Sequence, residues 1–277
     1  MKVVKILKWL TLGVVLFFIL SIVISSLFPG KVRFVDQVRL FAQRPAIKWL
    51  GTLKVDELPI SVTSDTLPGI DISYEELLPF LKKIPPGSIF LTRTRNYAIS
   101  EFIPGMWKHA GIFLGTKEQL ENKFGKRSKL YGMLDTLMAD GEIYVLDSEA
   151  DGVRVHPFID MSNLKEKSYL TNFTAFSINT TKELKLQFLE DALKYLEREY
   201  DYDWLTEDDN TLYCSELIYH SLKTIGVEIK KRTETLSRIV ITPDDLFEFM
   251  NQRGKNIGGF ILKVNIHKEG GEVITLY

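Results

Sequence analysis

The chain has 277 residues, of which 45% are hydrophobic and 26% are charged, and its formal net charge is −1. This length is enough for one sizeable domain with appendages or for two small ones. The balanced charge excludes the strongly basic surface typical of nucleic-acid-binding proteins, so no nucleic-acid partner is expected. A single cysteine excludes an intramolecular disulfide and any zinc site built from several cysteines.

The N-terminal segment carries a strong membrane signal. Residues 9–28 are free of charge, three lysines precede them, and about 20 apolar residues cross a bilayer as a helix. The apolar stretch is longer than the core of a signal peptide, and no A-x-A-like cleavage site follows it. The sequence therefore predicts an uncleaved single-pass membrane anchor over residues 1–28. Basic residues also follow the span, so the charge count does not decide the orientation. The signal-anchor arrangement predicts an extracytoplasmic main domain.

A juxtamembrane segment is predicted over residues 29–85. Its apolar and basic residues between positions 33 and 44 suit a short amphipathic helix, lying either on the lipid surface or on the domain. The pattern Ser73-x-x-Glu76 is a capping box for a helix that reaches Lys83. Residues 85–87, Pro-Pro-Gly, mark a turn before the main domain, which is predicted to span residues 86–277.

The main domain alternates between strand and helix patterns. A charged segment over residues 117–129 suggests a solvated helix. Thr180-x-x-Glu183 and the run Thr242-Pro243-Asp244-Asp245 mark two further helix starts. The predicted strands are residues 88–94, 109–115, 142–148, 152–157, 171–178, 257–264 and 272–276. Because the strands outnumber the helices and several are consecutive, the sequence predicts an α+β domain.

Cys214 stands where a polar acidic loop gives way to a helical pattern. Unpaired N–H groups and the positive end of the dipole at a helix start stabilise a thiolate, and the same N–H groups could hold an oxyanion. This position suits a nucleophile. The alternative is that Cys214 is a small buried hydrophobic residue.

A nucleophilic cysteine needs a histidine partner, and the chain has four histidines. His220 lies about 240° round the same helix, so its ring points elsewhere. His156 precedes a proline at a strand end, and His267 lies in a charged C-terminal turn. His109 shares a strand face with Gly111, which would leave room for a substrate. His109 is therefore the predicted partner.

The histidine in turn needs an acceptor that orients its ring. Asp147 and Glu149 share one face of the strand after His109, and either could reach an imidazole on a neighbouring strand. They could equally be two solvated acids near a turn. Spacing alone does not choose between them.

These motifs occur in an order that resembles a known family. The chain is similar to the permuted papain-like cysteine hydrolases of the YaeF/YiiX type, within the NlpC-type superfamily, in which the histidine strand precedes the cysteine helix. The resemblance covers about residues 86–249 and leaves out the N-terminal segments and residues 117–140. The matching stretches are Gly87–Leu91, Lys108–Gly115, Glu149–Val153, Tyr202–Asp203 and Tyr213–Leu217.

The resemblance implies a papain-like antiparallel sheet with packed helices. It implies Cys214 as nucleophile, His109 as base and Glu149 as the residue that orients the imidazole. The candidate cleft residues are Trp107, Tyr202 and Tyr213.

The function implied is hydrolysis of an amide, peptide-type bond through an acyl-cysteine intermediate, without a metal or organic cofactor. The expected partners are the membrane, through residues 9–28, and a peptide, cell-wall or lipid-like acyl substrate. Two alternatives remain open. One is a lipid-directed thioesterase or acyltransferase that uses the same Cys–His site, and the other is a non-catalytic, membrane-tethered binding module.

Overall fold

The computed structural model describes residues 2–28, 31–32, 34–35, 37–39, 41, 45, 54, 70–95, 103–202, 209–235, 238–253 and 259–276. Its helices are α1 (Lys2–Leu27), α2 (Tyr74–Leu81), α3 (Lys117–Phe124), α4 (Lys129–Leu134), α5 (Lys182–Leu193), α6 (Cys214–Lys223) and α7 (Pro243–Arg253), with a 3-10 helix at Phe158–Asn163. Its strands are β1 (Ser88–Thr94), β2 (His109–Gly115), β3 (Tyr144–Glu149), β4 (Gly152–Pro157), β5 (Leu170–Ile178), β6 (Thr233–Thr235), β7 (Arg238–Val240), β8 (Phe260–Glu269) and β9 (Glu272–Leu276).

Seven strands form one sheet in the order β4-β3-β2-β1-β5-β8-β9, and β6 pairs with β7 in a separate hairpin. Every neighbouring pair in the large sheet is antiparallel. Helices pack on this sheet, so the predicted α+β architecture with a large antiparallel sheet is confirmed. The predicted strands are found within a few residues of their expected positions.

The two faces of the sheet carry separate apolar cores because successive side chains of a strand point to opposite sides. On one face, alternate residues of β1 and β2 such as Ile89 and Ile112 pack against Leu217 and Ile218 of α6. On the other face, Phe90 and Phe113 join residues of α2 and of the 3-10 helix. This packing fixes the position of α6, the helix that begins at Cys214, on the sheet.

Polar caps fix several helix starts. Ser73 and Glu76 form the predicted capping box of α2, since Ser73 Oγ accepts from Glu76 N and the Glu76 carboxylate accepts from Ser73 N. The cap of α5 is Thr181, one residue later than predicted, and its hydroxyl accepts from Leu184 N. The predicted start of α7 is found with Pro243 as the first residue.

Helix α1 covers most of the predicted membrane anchor. In the described part of the chain, however, no helix combines the length and the apolar character that crossing a membrane requires. The predicted transmembrane helix is therefore not supported, and the extracytoplasmic location of the main domain stays a prediction. The short helix predicted within residues 33–44 falls largely outside the described residues.

Two segments are more deeply integrated than their sequence indicated. Leu77 and Leu81 of α2, within the predicted juxtamembrane segment, are fully buried in the second core. Helix α3 was expected to be solvated, yet its Leu120 and Phe124 are buried in the first core. Both helices are amphipathic. Their many charged residues make the short apolar face of each helix difficult to recognise in the sequence. The three-segment division of the chain stays a prediction.

Candidate active site

The site forms where strands β2 and β3 stop pairing. Their ladder begins at the Gly111–Asp147 pair, so His109 and Ala110 extend beyond it. The start of α6 enters this opening, where the Cys214 thiol lies close enough to the Ala110 N–H for that group to lower the pKa of the thiol, and Ser148 Oγ donates to the Leu212 carbonyl at 2.5 Å. The register of the sheet therefore brings the cysteine against the histidine strand.

Cys214 is buried and is the first residue of α6. Burial disfavours its thiolate. The hydrogen bond and the charge of His109, the Ala110 N–H and the Ser215 hydroxyl outweigh burial and lower the pKa of the Cys214 thiol. The Ser215 oxygen lies 3.8 Å from the sulfur. The sulfur therefore lies among donors that favour the thiolate, the reactive form of cysteine.

His109 lies between Cys214 and Asp147 and interacts with both. Its Nε2 lies 2.9 Å from Asp147 Oδ2. Burial disfavours the imidazolium. The hydrogen bond and charge of Asp147, together with Cys214, raise the pKa of His109 well above its ordinary value. A lowered thiol pKa beside a raised imidazole pKa favours a thiolate next to an imidazolium.

Asp147 is fully buried and bridges two histidines. Its Oδ1 lies 2.9 Å from His156 Nε2, while Oδ2 takes His109. Burial opposes its ionisation, but the charge of His156 and the hydrogen bond of His109 lower the pKa of Asp147 far below its ordinary value. Asp147 is therefore an anion between two imidazole rings.

His156 is a member of this network that the sequence did not predict. Its Nδ1 lies 3.1 Å from the Pro157 carbonyl, and both of its partners only accept hydrogen bonds, so both ring nitrogens carry protons. Burial lowers the pKa of His156, but the Asp147 charge and hydrogen bond outweigh that effect and raise it. The sequence could have predicted this contact from the two-residue turn between β3 and β4. That turn pairs Glu149 with Gly152, and the resulting register makes His156 a diagonal neighbour of Asp147.

Glu149 does not orient the imidazole. Its carboxylate accepts from Arg154 Nη2 at 2.5 Å, and both side chains are partly exposed. Asp147 instead accepts from His109, which corrects the choice of Glu149 that the family resemblance implied. The β2–β3 ladder ends at the Gly111–Asp147 pair, so it does not hold Glu149 against His109, and the Glu149 carboxylate pairs with Arg154 of β4 instead.

Of the three predicted cleft residues, one lies beside the cysteine. Tyr213 lines the pocket at Cys214, and its hydroxyl accepts from Ile241 N at 3.0 Å. Tyr202 donates to the Ala150 carbonyl at 2.6 Å, and its ring contacts Tyr200, which does line the pocket. Trp107 is a core residue with 2% of its surface exposed, and it is not among the described residues that line the pocket.

Gly111 has a structural role that differs from the prediction. A Cβ at this position would lie 2.4 Å from the Phe90 ring and 3.0 Å from Asp147 Cβ. The space beside His109 is therefore filled by Phe90, whose ring centroid lies 6.3 Å from that of His109. The glycine allows Phe90 and Asp147 to approach the histidine strand closely, and it does not open a substrate cavity.

His109, Asp147 and Glu149 are residue types that can bind a cation. Donor atoms of His109, Asp147 and Glu149 lie within 4.8 Å of one another. In the structure, His109 and Asp147 bond each other and Glu149 bonds Arg154. These donors are committed to a hydrogen-bonded network, and we assign no metal to it.

An antiparallel sheet whose histidine strand precedes the cysteine helix defines the permuted papain-like class of hydrolase. The chain belongs to the family described as "Permuted papain-like amidase enzyme, YaeF/YiiX, C92 family", whose model matches residues 83–260, more than half of the chain. The resemblance stated from the motifs is confirmed, and the protein is an amidase-type hydrolase.

Similarity to curated proteins and to solved structures is weaker than the match to this family. No curated protein matches the chain. One similar solved structure is that of metalloprotein yiiX from Escherichia coli O157:H7 (DUF1105), which is 14% identical, with 70% of this chain aligned to 97% of that chain at a TM-score of 0.40. At this level of similarity, the match carries no argument about the site.

Proposed function

We propose that the protein hydrolyses an amide, peptide-type bond through an acyl-cysteine intermediate. Cys214 acts as nucleophile, His109 as general acid and base, and Asp147 as the residue that holds the imidazole. The observation that carries this proposal is the alignment of Cys214, His109 and the buried Asp147: His109 interacts with the thiol, and its Nε2 lies 2.9 Å from Asp147 Oδ2. Family membership as an amidase supports the reaction class.

In the first half-reaction, the Cys214 thiolate attacks the carbonyl carbon of the amide and forms the C–S bond. The carbonyl oxygen becomes an oxyanion, and the N–H groups at the start of α6, which has no side-chain cap, stabilise it. His109 then donates its proton to the amide nitrogen as the C–N bond breaks. The products are the free amine and an acyl-Cys214 thioester, with His109 neutral.

In the second half-reaction, His109 takes a proton from a water molecule that attacks the thioester carbonyl. The C–S bond breaks, the carboxylic acid leaves, and the thiolate–imidazolium pair is restored. Asp147 supports both halves, because its hydrogen bond fixes the ring of His109 and its charge stabilises the imidazolium. The role of Asp147 requires no change in its own protonation.

A panel of fluorogenic amides tests the proposal. The panel varies the acyl group among apolar, polar and acidic types and releases the same aminocoumarin. Wild-type protein should release the amine, and Cys214→Ala and His109→Gln should lose that release. His267→Gln should be as active as wild type, because His267 pairs with a largely exposed Glu269 on the far strands.

The two results that would contradict the proposal differ in meaning. Amine release that persists in Cys214→Ala would remove the nucleophile assignment. Binding of panel members without turnover in wild type would favour the binding-module alternative. The assay includes titration of Cys214 with iodoacetamide, which shows whether the thiol is accessible in each preparation.

A further inference from the structure

A pocket opens directly at the cysteine. It encloses about 340 Å³, including the solvent at its mouth, and Cys214 and Ser215 form part of its wall. The remaining walls come from the loop at Ile103, from Tyr200 and from the β6–β7 hairpin with the start of α7.

The pocket is apolar in character. Apart from the thiol, its described lining consists of aliphatic, aromatic, proline and hydroxyl side chains, without Asp, Glu, Lys, Arg or His. Two of the polar groups are already bonded to protein, since Tyr213 Oη accepts from Ile241 N and Thr242 Oγ1 donates to Asp245 Oδ2 at 2.8 Å. An apolar group that enters the pocket would therefore leave few polar atoms unsatisfied.

The position of His109 determines which part of a substrate the pocket receives. His109 is not among the residues that line the pocket, although Cys214 is. In amide hydrolysis the leaving nitrogen must lie at the imidazolium that protonates it. A group that occupies the pocket, which contacts Cys214 and not His109, is then the acyl part. We propose that this pocket is an acyl-binding subsite that selects amides of apolar, aliphatic or aromatic acids, a proposal that rests on the hydrolytic function above.

One wall of the pocket is held by a defined clamp. The Asp244 carboxylate accepts from Met106 N at 2.9 Å and from Trp107 N at 2.7 Å, which ties the loop after Ile103 to the start of α7. Gly105 makes this approach possible, since a Cβ there would lie 2.2 Å from an Asp244 oxygen. The clamp therefore fixes the loop at Ile103 relative to the start of α7, which together form one wall of the pocket.

Val240 is the residue of choice for testing the pocket. It is buried, it lines the pocket, and it belongs to neither the catalytic chain nor the Asp244 clamp. Val240→Phe should fill the pocket and Val240→Ala should enlarge it. Ile239→Phe is the matched control, because Ile239 is the neighbouring residue of β7 and is 68% exposed.

The first arm of the experiment does not depend on amidase activity. Alkyl methanethiosulfonates of increasing chain length react with the Cys214 thiolate to give a mixed disulfide, and methanesulfinate leaves. The rate constant, divided by that for free cysteine, should rise about fourfold for each methylene that is buried, until the chain outgrows the pocket. Val240→Phe should remove this rise, Val240→Ala should extend it to longer chains, and Ile239→Phe should leave it unchanged.

The second arm uses amides in which the acyl chain or the amine chain is lengthened separately. The proposal predicts that kcat/KM rises with the length of the acyl chain and that Val240→Phe removes this rise. The length of the amine chain should have little effect.

A preference for longer amine chains, or turnover without any acyl preference, would overturn the acyl-binding subsite and leave the proposed hydrolysis standing. If the rate of mixed-disulfide formation depends on chain length, if Val240→Phe removes that dependence, and if no amide is hydrolysed, the apolar pocket is supported and the proposed function is removed. A rate of mixed-disulfide formation that is independent of chain length in wild type would overturn the proposal that the pocket binds an apolar chain. If Val240→Phe fails to fold, Val240→Ala and wild type decide the same questions.

Discussion

Replacing Asp147 by Asn tests the electrostatic core of the site with little change in shape. The amide oxygen can still accept from His109 Nε2. The amide NH₂ can donate to His156 once that ring has lost its Nε2 proton and retains the Nδ1–H that faces the Pro157 carbonyl. The variant should therefore fold. What it loses is the buried negative charge beside His109.

The size of the effect follows from that lost charge. A hydrogen bond to a charged partner contributes about 1.5–3 kcal/mol and a neutral one about 0.5–1.5 kcal/mol, so roughly 1–2 kcal/mol of support for the imidazolium disappears. This loss lowers the ratio of the thiolate–imidazolium pair to the neutral pair by roughly five- to thirtyfold. The pKa of His109 should fall, and the pKa of Cys214 should rise because its cationic partner is less populated.

The assay is the rate of Cys214 alkylation by iodoacetamide as a function of pH, which needs no knowledge of the substrate. Asp147→Asn should move the rise in rate to higher pH, and the two apparent values belong to the coupled Cys–His pair. Glu149→Gln is the control and should leave the profile nearly unchanged, because Glu149 pairs with the partly exposed Arg154. A profile that responds to Glu149→Gln and ignores Asp147→Asn would refute the assignment of Asp147.

Two further predictions concern stability and are measured by urea unfolding. His156→Leu should lower the free energy of unfolding by about 1–3 kcal/mol, because it leaves a buried oxygen of Asp147 without its partner. His267→Leu, at a partly exposed position, should cost far less, and equal losses would contradict the role of His156. Gly105→Ala should cost about 1.5–3 kcal/mol more than Gly125→Ala, since it also breaks the charged hydrogen bonds of the loop clamp. Both glycines have positive φ, but a Cβ at Gly125 would meet nothing within 4 Å, so equal costs would show that the clamp contributes nothing.

Local patterns were sufficient to predict the positions of the two residues that are proposed to react. Cys214 was expected at a helix start and His109 on the strand before the insertion, and the structure brings the two side chains together. Both positions follow from periodicity and from the order of the elements along the chain. The same patterns predicted the α+β class and the strands of the large sheet, because each strand carries its own alternation.

The third residue could not be chosen from periodicity. Asp147 and Glu149 share a strand face, so only the pairing of β3 with both of its neighbours distinguishes them. The β2–β3 ladder places Asp147 opposite Gly111 near His109, and the β3–β4 turn places Glu149 beside Arg154. The choice depends on contacts between strands that no single stretch of sequence contains.

The pocket was also beyond prediction from local pattern. Its walls come from segments far apart in the chain, among them Ile103, Tyr200 and Val240. Trp107 was assigned to the cleft although its ring packs against Phe247, with centroids 5.4 Å apart. An aromatic residue near a catalytic strand is equally compatible with core and cleft until the packing of α7 is known.

The acyl-cysteine mechanism is tested most directly by the mass of the protein during a single turnover. An activated ester or amide of an apolar acid is added in equal amount to the protein, the reaction is stopped with acid, and the intact mass is measured. Wild-type protein should gain one acyl group, and peptide mapping should place it on Cys214 as a thioester that neutral hydroxylamine removes. Cys214→Ala should gain none. An acyl group on another residue, or turnover by wild-type protein without any acylated protein at the earliest times sampled, would contradict the acyl-cysteine mechanism.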